Sequence, residues 1–218
     1  MIFSSPDFDD HEGVHAFCDP RARLRGVIAV HSTALGPGFG GCRMWPYADE
    51  AAGFRDALRL SRGMSLKNAM ADLPYGGGKA VIFGDPRSEK TPALFQAFGR
   101  AVERLSGRYI TAEDVGVSVE DIQAAASETA HVGGIPQQGG YAGGDPSPWT
   151  ALGVFAGMKA AASAAFGSDD LAGRRVAVQG LGAVGSHLCA RGLAPPCSDL
   201  PPPAAPPPRP RARKDGSP

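Results

Sequence analysis

The stretch Gly63–Ile82 reads GMSLKNAMADLPYGGGKAVI and carries two lysines, Lys67 and Lys79, on either side of the segment Leu73–Gly78. Helix-forming residues at helical spacing precede that segment, and the apolar run Ala80–Phe83 after it is typical of a buried strand. The segment contains a proline, which ends a helix, and three glycines, which let the backbone pass close to a small group. The stretch therefore predicts a helix, a glycine-rich turn and a strand, with the two ammonium groups able to approach each other across the turn.

Lysine is uncommon in this chain, which contains 17 arginines and 5 lysines. Arginine stays protonated in proteins, whereas the pKa of a lysine that is desolvated beside another cation can fall close to neutrality. The two lysines therefore indicate a need for a neutral amine or a compact point charge. The alternative is a pair of solvated lysines that flank a loop. A phosphate-binding loop is excluded, because that motif needs Gly and Ser or Thr where this chain has Leu73 and Ala80.

Length and composition predict a globular protein without an evident macromolecular partner. The chain has 218 residues, 43% of them hydrophobic, which is enough for one good core or two small domains. A formal net charge of zero gives no reason to expect nucleic acid or an anionic membrane as a partner. Without a long apolar run or a charged-then-apolar leader, the expected location is cytoplasmic. The four cysteines show no metal-binding or disulfide spacing, so no metal is expected.

Strand and helix patterns alternate along the first part of the chain, which predicts an α/β domain over about residues 10–130. Residues 1–20 are acidic and are expected to be irregular. The predicted strands are Arg25–Thr33, Cys42–Met44 after a glycine-rich loop, Ala80–Phe83 and Tyr109–Ala112, and the predicted helices are Asp49–Met70, Thr91–Leu105 and one that begins at Ser118. Glu113 and Asp114 leave the end of a strand, where ligands usually bind in such sheets.

The second part contains a dinucleotide-binding pattern. Pro148–Phe166 predicts a long helix that connects two domains. A strand, the glycines Gly180, Gly182 and Gly185, and a helix then follow in the order that the Rossmann fingerprint requires. Such glycines allow a tight turn and the close approach of a pyrophosphate to the helix N-terminus, although a glycine-rich turn without a ligand is the alternative. Ten of the twenty prolines lie in Ala194–Pro218, which predicts a disordered or polyproline II tail.

Six ordered segments make the chain resemble the glutamate/leucine/phenylalanine/valine amino acid dehydrogenases, most closely the leucine and phenylalanine enzymes. They are HSTALGPGFGGCRM at 31–44, MSLKNA at 64–69, LPYGGGKAVI at 73–82, YITAEDVG at 109–116, GDPSPWTALGV at 144–154 and GLGAVG at 180–185. The resemblance implies NAD-dependent oxidative deamination of an apolar L-amino acid to a 2-oxo acid and ammonia. It also implies a homo-oligomer, because the first domain of this family usually makes subunit contacts.

The implied fold is an α/β substrate and dimerisation domain at 1–145, followed at 146–193 by a linking helix and the first β-α unit of a Rossmann NAD-binding domain, with the tail at 194–218. Later strands and the acidic residue that would bind the ribose are absent from the chain as given. We therefore expect a truncated chain with impaired or absent activity, and the alternative function is an inactive fragment that acts only in oligomer assembly. Which amino acid is oxidised, NAD or NADP as cofactor, and the oligomer size remain open.

The resemblance also implies roles for individual residues. Lys67 pairs with the substrate α-carboxylate, Lys79 activates the attacking water, and Asp114 exchanges protons with the amino nitrogen. From the residues alone, Asp114 is better explained as a loop or capping aspartate. The remaining implied site residues are Gly40, Gly41, Phe39 and Met64 for the substrate and Gly180, Gly182, Ala183, Val184, Gly185 and Thr150 for NAD.

Two of these residues have an open alternative. Phe39 stands where glutamate-specific relatives carry a lysine, which favours an aliphatic or aromatic substrate. Ordinary loop packing would explain Phe39 equally well. Thr150 resembles a residue near the nicotinamide, and a helix-cap hydroxyl is the other interpretation.

Overall fold

The structure is a computed structural model that describes residues 2–135 and 143–191. The chain divides into two units, Met1–Asp145 and Pro146–Pro218. The proline-rich segment, for which disorder or polyproline II was expected, lies outside the described residues.

The first unit is built on a mixed five-stranded sheet with the order β1-β2-β4-β3-β5. Its strands are β1 (Gly13–Asp19), β2 (Leu24–Ser32), β3 (Gly38–Trp45), β4 (Gly76–Phe83) and β5 (Tyr109–Glu113). β2 pairs antiparallel with β1 and with β4, whereas β3 lies parallel to both β4 and β5. The parallel part of the sheet therefore consists of β3, β4 and β5. The first two carry the glycine-rich segments, and β5 ends at Glu113, immediately before Asp114.

Helices cover both faces of the sheet. The first unit contains α1 (Glu50–Met70), α2 (Pro92–Glu103), α3 (Val119–Ala126) and a short 3₁₀ helix at Ile2–Ser4. The side chains of Asp49, Thr91 and Ser118 cap the three α-helices by accepting a backbone N–H of the first turn. These caps confirm the helix starts that the sequence predicts at Asp49, Thr91 and Ser118.

Side chains alternate between the two faces of the sheet along β2 and β4, so the core has two layers. Ile28 and Ile82 point to the face covered by α2 and α3, and Val27 and Val81 point to the face covered by α1. All four side chains are at most 1% exposed. A run of consecutive buried apolar residues such as Val27–Val30 fits a sheet covered on both faces, and the predicted α/β architecture is confirmed.

Three local predictions for the first unit are wrong. Residues 1–20 contain β1, an edge strand whose side chains are only half-buried or exposed, so that its pairing with β2 is not visible as an apolar run. The glycines Gly76–Gly78 are buried in β4 and not in a turn, because α1 and β3 pack too closely for side chains there. β3 begins at Gly38, four residues before the predicted start at Cys42.

The second unit contains α4 (Ser147–Phe166) and α5 (Ala183–Ala190) in its described part. The helix predicted at Pro148–Phe166 and the helix after the glycine fingerprint are both present. The strand predicted before Gly180 is absent from the described residues, because a strand needs a hydrogen-bonded neighbour and none is described there. None of the helices described in the two units is long and apolar enough to cross a membrane.

Candidate active site

Three charged side chains from three elements meet at one carboxylate oxygen. Lys79 Nζ of β4 lies 2.9 Å from Asp114 Oδ2, just after β5. Arg43 Nε of β3 lies 2.9 Å from the same oxygen. The parallel pairing of β3 with both β4 and β5 brings these three residues together although 71 positions separate Arg43 from Asp114.

Burial and neighbouring charges set the protonation of this group. Burial lowers the pKa of Lys79, which is 5% exposed; the Asp114 carboxylate opposes this effect, and the charge of Arg43 adds to it. Burial alone would raise the pKa of Asp114, but Lys79 and Arg43 outweigh it and hold that pKa below its usual range. The site therefore pairs an ionised carboxylate with a lysine that loses its proton more readily than a surface lysine. The cation that crowds Lys79 is Arg43.

The glycines Gly40 and Gly41 allow the strands to approach this closely. A Cβ atom on Gly40 would lie 1.8 Å from the carbonyl oxygen of Gly78. A Cβ atom on Gly41 would lie 2.4 Å from the carbonyl oxygen of Glu113 and 2.9 Å from the Cβ of Asp114. Any side chain at Gly41 would displace the segment that carries Asp114, so this glycine is a geometric requirement of the site.

Helix α1 carries two further predicted substrate residues, Met64 and Lys67. Met64 lies near the glycine pair, since its Cγ would be 3.1 Å from a Cβ atom on Gly40. Asn68 anchors the helix by donating from Nδ2 to the carbonyl oxygen of Gly76 at 2.6 Å. Lys67 precedes Asn68, is exposed, and makes no side-chain hydrogen bond or ion pair within the described parts of the chain. Its ammonium is therefore available to an anion from solvent.

The ring of Phe39 is held between two neighbours. It contacts the ring of Tyr75 with centroids 5.1 Å apart, and a Cβ atom on Gly133 would lie 2.7 Å from it. Phe39 is half-buried at the start of β3 and belongs to the sheet, so the loop that the sequence suggested there is wrong. Its role in selecting a substrate stays a prediction.

The glycine fingerprint has the turn geometry that a dinucleotide site needs. Gly180 has a φ of 86°, and a Cβ atom on Gly185 would lie 2.1 Å from its carbonyl oxygen. Gly182 is the N-cap of α5, and no described side chain caps this helix. Ala183 and Val184 form its first turn. Free backbone N–H groups at a helix start are suited to bind a pyrophosphate, so the residues present fit the cofactor.

Thr150 lies inside α4, exposed, with its backbone N–H bound to the carbonyl oxygen of Pro146 at 2.9 Å. The N-cap of α4 is Pro146, and no side-chain cap is formed among the described residues. The interpretation of Thr150 as a helix-cap hydroxyl is therefore wrong, because a capping residue precedes the first turn. Its position near a nicotinamide stays a prediction.

Sequence reasoning missed Arg43, Asp56 and Tyr47. Arg43 Nη1 lies 2.8 Å from Asp56 Oδ2 on α1, and the hydroxyl of Tyr47 donates to that same oxygen at 2.6 Å. These residues border a cavity of about 390 Å³ lined by Arg43, Trp45, Tyr47, Ala52, Arg55, Asp56, Arg59 and Val115. Strand alternation could have drawn attention to Arg43, since it lies two residues after Gly41 and therefore on the same face.

A metal ion has no evident place in the described residues. Over 2–135 and 143–191, no group of three or more His, Cys, Asp or Glu side chains is arranged to hold one. The cations that contact Asp114 in this structure are the side chains of Lys79 and Arg43.

Comparison with known proteins finds relatives among amino acid dehydrogenases. The chain is 56% identical over 189 residues to a leucine dehydrogenase of Bacillus subtilis (strain 168), covering 86% of this chain and 51% of that protein. It is 51% identical over 177 residues to a phenylalanine dehydrogenase of Bacillus thermotolerans, covering 81% and 46%. The crystal structure of L-tryptophan dehydrogenase from Nostoc punctiforme matches with a TM-score of 0.61 and 44% identity, covering 83% and 50%. The chain spans about half the length of these relatives.

A family description also matches more than half of the chain. Residues 15–131 match the family described as "Glu/Leu/Phe/Val dehydrogenase, dimerisation domain". This region contains Lys67, Lys79 and Asp114 together with the strands that position them. The resemblance inferred from the six ordered motifs is thereby confirmed. The chain belongs to the Glu/Leu/Phe/Val dehydrogenase family.

Proposed function

We propose that this chain contains the amino acid site of a dehydrogenase that uses NAD to deaminate an apolar L-amino acid oxidatively, releasing a 2-oxo acid and ammonia. The observation that carries the proposal is the buried Lys79 amine 2.9 Å from the Asp114 carboxylate, with the pKa of both groups lowered. A base beside an ionised carboxylate is what deprotonation of an amine and hydrolysis of an imine require. Relatives named leucine and phenylalanine dehydrogenase support the substrate class.

Lys67, Asp114 and Lys79 each have one role in this proposal. The exposed ammonium of Lys67 binds the substrate α-carboxylate and fixes the orientation of the amino acid. Asp114 takes a proton from the substrate ammonium group and later returns one to the nitrogen as ammonia leaves. Neutral Lys79 takes a proton from the water that attacks the imine carbon. NAD, when bound, would supply the acceptor for the hydride removed from Cα.

Apolar contacts select the substrate side chain in this proposal. Phe39 and Met64 border the glycine pair Gly40–Gly41, and Tyr75 holds the Phe39 ring at a centroid distance of 5.1 Å. An aromatic and a thioether group offer no charge to bind the second carboxylate of glutamate. We therefore propose leucine, valine or phenylalanine as the class of substrate.

The two units bind different molecules in this proposal, the first the amino acid and the second NAD. The unit Met1–Asp145 is the substrate domain, and the unit that begins at Pro146 starts the NAD-binding domain with Gly180, Gly182 and Gly185 at the pyrophosphate. The matched family description includes the word dimerisation, which supports a homo-oligomer. Nicotinamide contact by Thr150 belongs to the same proposal.

Calorimetric titration of the purified chain tests the function. We expect L-leucine or L-phenylalanine and NAD to bind, and NADH absorbance to appear when both are present; L-glutamate is the control and should not bind. Binding with slow turnover is the result that an impaired chain predicts. A folded, monodisperse chain that binds neither apolar amino acid nor NAD would contradict the proposal and leave the alternative, a chain that acts only in oligomer assembly.

A further inference from the structure

We propose that Arg43 is a positioning residue of the candidate active site: its guanidinium fixes the Asp114 carboxylate so that one oxygen holds the two cations and the other faces the substrate. The inference rests on the proposed function, since it assigns Asp114 the exchange of protons with the amino nitrogen. It concerns a residue that acts through Asp114 and Lys79.

The first argument is the sharing of one carboxylate oxygen. Arg43 Nε and Lys79 Nζ both lie 2.9 Å from Asp114 Oδ2. No described residue forms a hydrogen bond with Asp114 Oδ1, and the side chain is 24% exposed. A carboxylate bound through one oxygen only by Lys79 could rotate, whereas the second donor on Oδ2 limits that rotation. Oδ1 is therefore the oxygen left for a substrate proton.

The second argument is that Arg43 is itself anchored. Its Nη1 bonds Asp56 Oδ2 at 2.8 Å, and Tyr47 donates to that oxygen at 2.6 Å. The guanidinium therefore bridges a carboxylate on α1 and a carboxylate after β5. A planar fork of donors can make both contacts at once, which a single ammonium group cannot do in the same geometry. The bridge fixes the segment that carries Asp114 relative to the helix that carries Lys67.

The third argument is electrostatic. The positive charge of Arg43 lowers the pKa of Lys79 and that of Asp114. Both effects favour the deprotonated form, since the lysine must be able to lose its proton and the carboxylate must stay ionised. Without Arg43, burial alone would oppose the Asp114 carboxylate, which favours the ammonium form of Lys79. Arg43 therefore keeps the base and the carboxylate usable at the same pH.

Arg55 provides a matched control. It borders the same cavity of about 390 Å³ as Arg43, is exposed, and forms no side-chain hydrogen bond or ion pair with any described residue. Arg43→Gln and Arg55→Gln therefore remove the same charge from the same cavity. Only the first change removes the contacts with Asp114 and Asp56. Arg43→Lys keeps the charge and loses the bridge.

Lysine side-chain NMR of the intact chain tests the inference without turnover. With only 5 lysines, labelled lysine gives a resolved titration, and Lys79→Arg assigns the Lys79 signal. We expect the Lys79 midpoint to move to higher pH in Arg43→Gln, and to stay at the wild-type value in Arg55→Gln. Equal Lys79 midpoints in wild type and Arg43→Gln would overturn the proposal. If Arg43→Gln does not fold, Asp56→Asn is the second variant: it removes the carboxylate that partly neutralises the Arg43 guanidinium, so the Lys79 midpoint is expected to move to lower pH, and an unchanged midpoint would overturn the proposal.

Kinetics separate positioning from charge. Where the chain oxidises leucine or phenylalanine, we expect Arg43→Gln to lower kcat by about 10–100-fold with KM changed less than about 3-fold, because Lys67 still binds the carboxylate. Arg43→Lys should keep a Lys79 midpoint close to wild type without restoring kcat. Full activity of Arg43→Lys would contradict the bridge. Absence of any amino acid oxidation by wild type would count against the proposed function, while the Lys79 titration still decides the role of Arg43.

Discussion

At the scale of single residues, the candidate site contains a lysine that is buried and paired with a carboxylate. Lys79 is 5% exposed, and its ammonium form is destabilised by burial and by Arg43. Asp114 offsets part of that cost at a distance of 2.9 Å. Breaking a buried ion pair usually leaves an uncompensated charge. Here Asp114 would keep Arg43 as its partner, so removal of the lysine should affect chemistry more than folding.

Replacement of Lys79 is therefore predicted to separate chemistry from binding. Lys79→Ala should lower kcat by about 10²–10⁴-fold, the usual contribution of a general base. Lys67→Ala is the comparison, and it should raise KM for the amino acid more than it lowers kcat, since we propose that Lys67 binds the substrate carboxylate. Steady-state kinetics measure both, with circular dichroism as the check of folding. A Lys79→Ala protein with wild-type kcat would exclude Lys79 as the base.

The lowered pKa of Lys79 also predicts a pH dependence. A base acts in its neutral form, so activity should rise with pH through the pKa of Lys79. Because burial and Arg43 lower that pKa from its ordinary 10.5, the rise should have its midpoint below that value. The pH dependence of kcat/KM for leucine measures this midpoint. A midpoint at or above the ordinary lysine pKa would contradict the assignment.

At the scale of elements, the site depends on how closely α1, β3 and β4 approach one another. Gly77 of β4 lies directly under α1: a Cβ atom there would lie 2.2 Å from Ser65 Oγ and 2.3 Å from the carbonyl oxygen of Ser61. Asn68 then joins the end of the helix to Gly76. The helix–strand distance, and with it the location of Met64 and Lys67, is therefore determined by residues without side chains.

Two glycine-to-alanine changes test this packing in opposite directions. Gly77→Ala should destabilise the first unit by about 1–3 kcal/mol or more, because the new methyl group meets helix backbone that cannot move away easily. Gly63→Ala lies in the interior of α1 with nothing within 4 Å of the added atom, and should stabilise by about 0.5–1 kcal/mol. Urea unfolding followed by circular dichroism measures both. Equal effects of the two changes would refute the proposed tight contact.

At the scale of the whole molecule, the chain belongs to the Glu/Leu/Phe/Val dehydrogenase family and spans about half the length of the relatives it matches. Its edge strand β1 pairs with β2 along one side only in the described residues. An open strand edge can pair with another chain. The matched family description contains the word dimerisation, which also supports association between chains.

The oligomer prediction is checked by mass. Light scattering after size-exclusion chromatography should give a multiple of the single-chain mass at micromolar concentration. A second measurement with Ala16→Pro, which removes a backbone donor in the middle of β1, tests whether this edge is involved. A monomeric wild type at all concentrations would contradict the homo-oligomer, and an unchanged oligomer in Ala16→Pro would place the interface elsewhere.

The sequence by itself was sufficient for the α/β class, the helix starts at Asp49, Thr91 and Ser118, and the family. These features depend on local capping, on hydrophobic periodicity and on six ordered motifs, all of which can be read within a short window. Spacing and composition singled out Lys67 and Lys79, and the family resemblance supplied Asp114 and a role for each of the three before any geometry was known. Local patterns failed at β1 and at Gly76–Gly78, where pairing and close packing with distant segments decide the structure.

Only the tertiary structure decided which charges act on one another. Arg43 lies 13 residues from Asp56 and 71 from Asp114, and no spacing rule connects them. They meet because β3 runs parallel to both β4 and β5 while α1 covers the same face of the sheet. The same geometry made Arg43 the cation nearest to the Lys79–Asp114 pair. Electrostatic coupling depends on distance in space and on burial, and the folded sheet determines both.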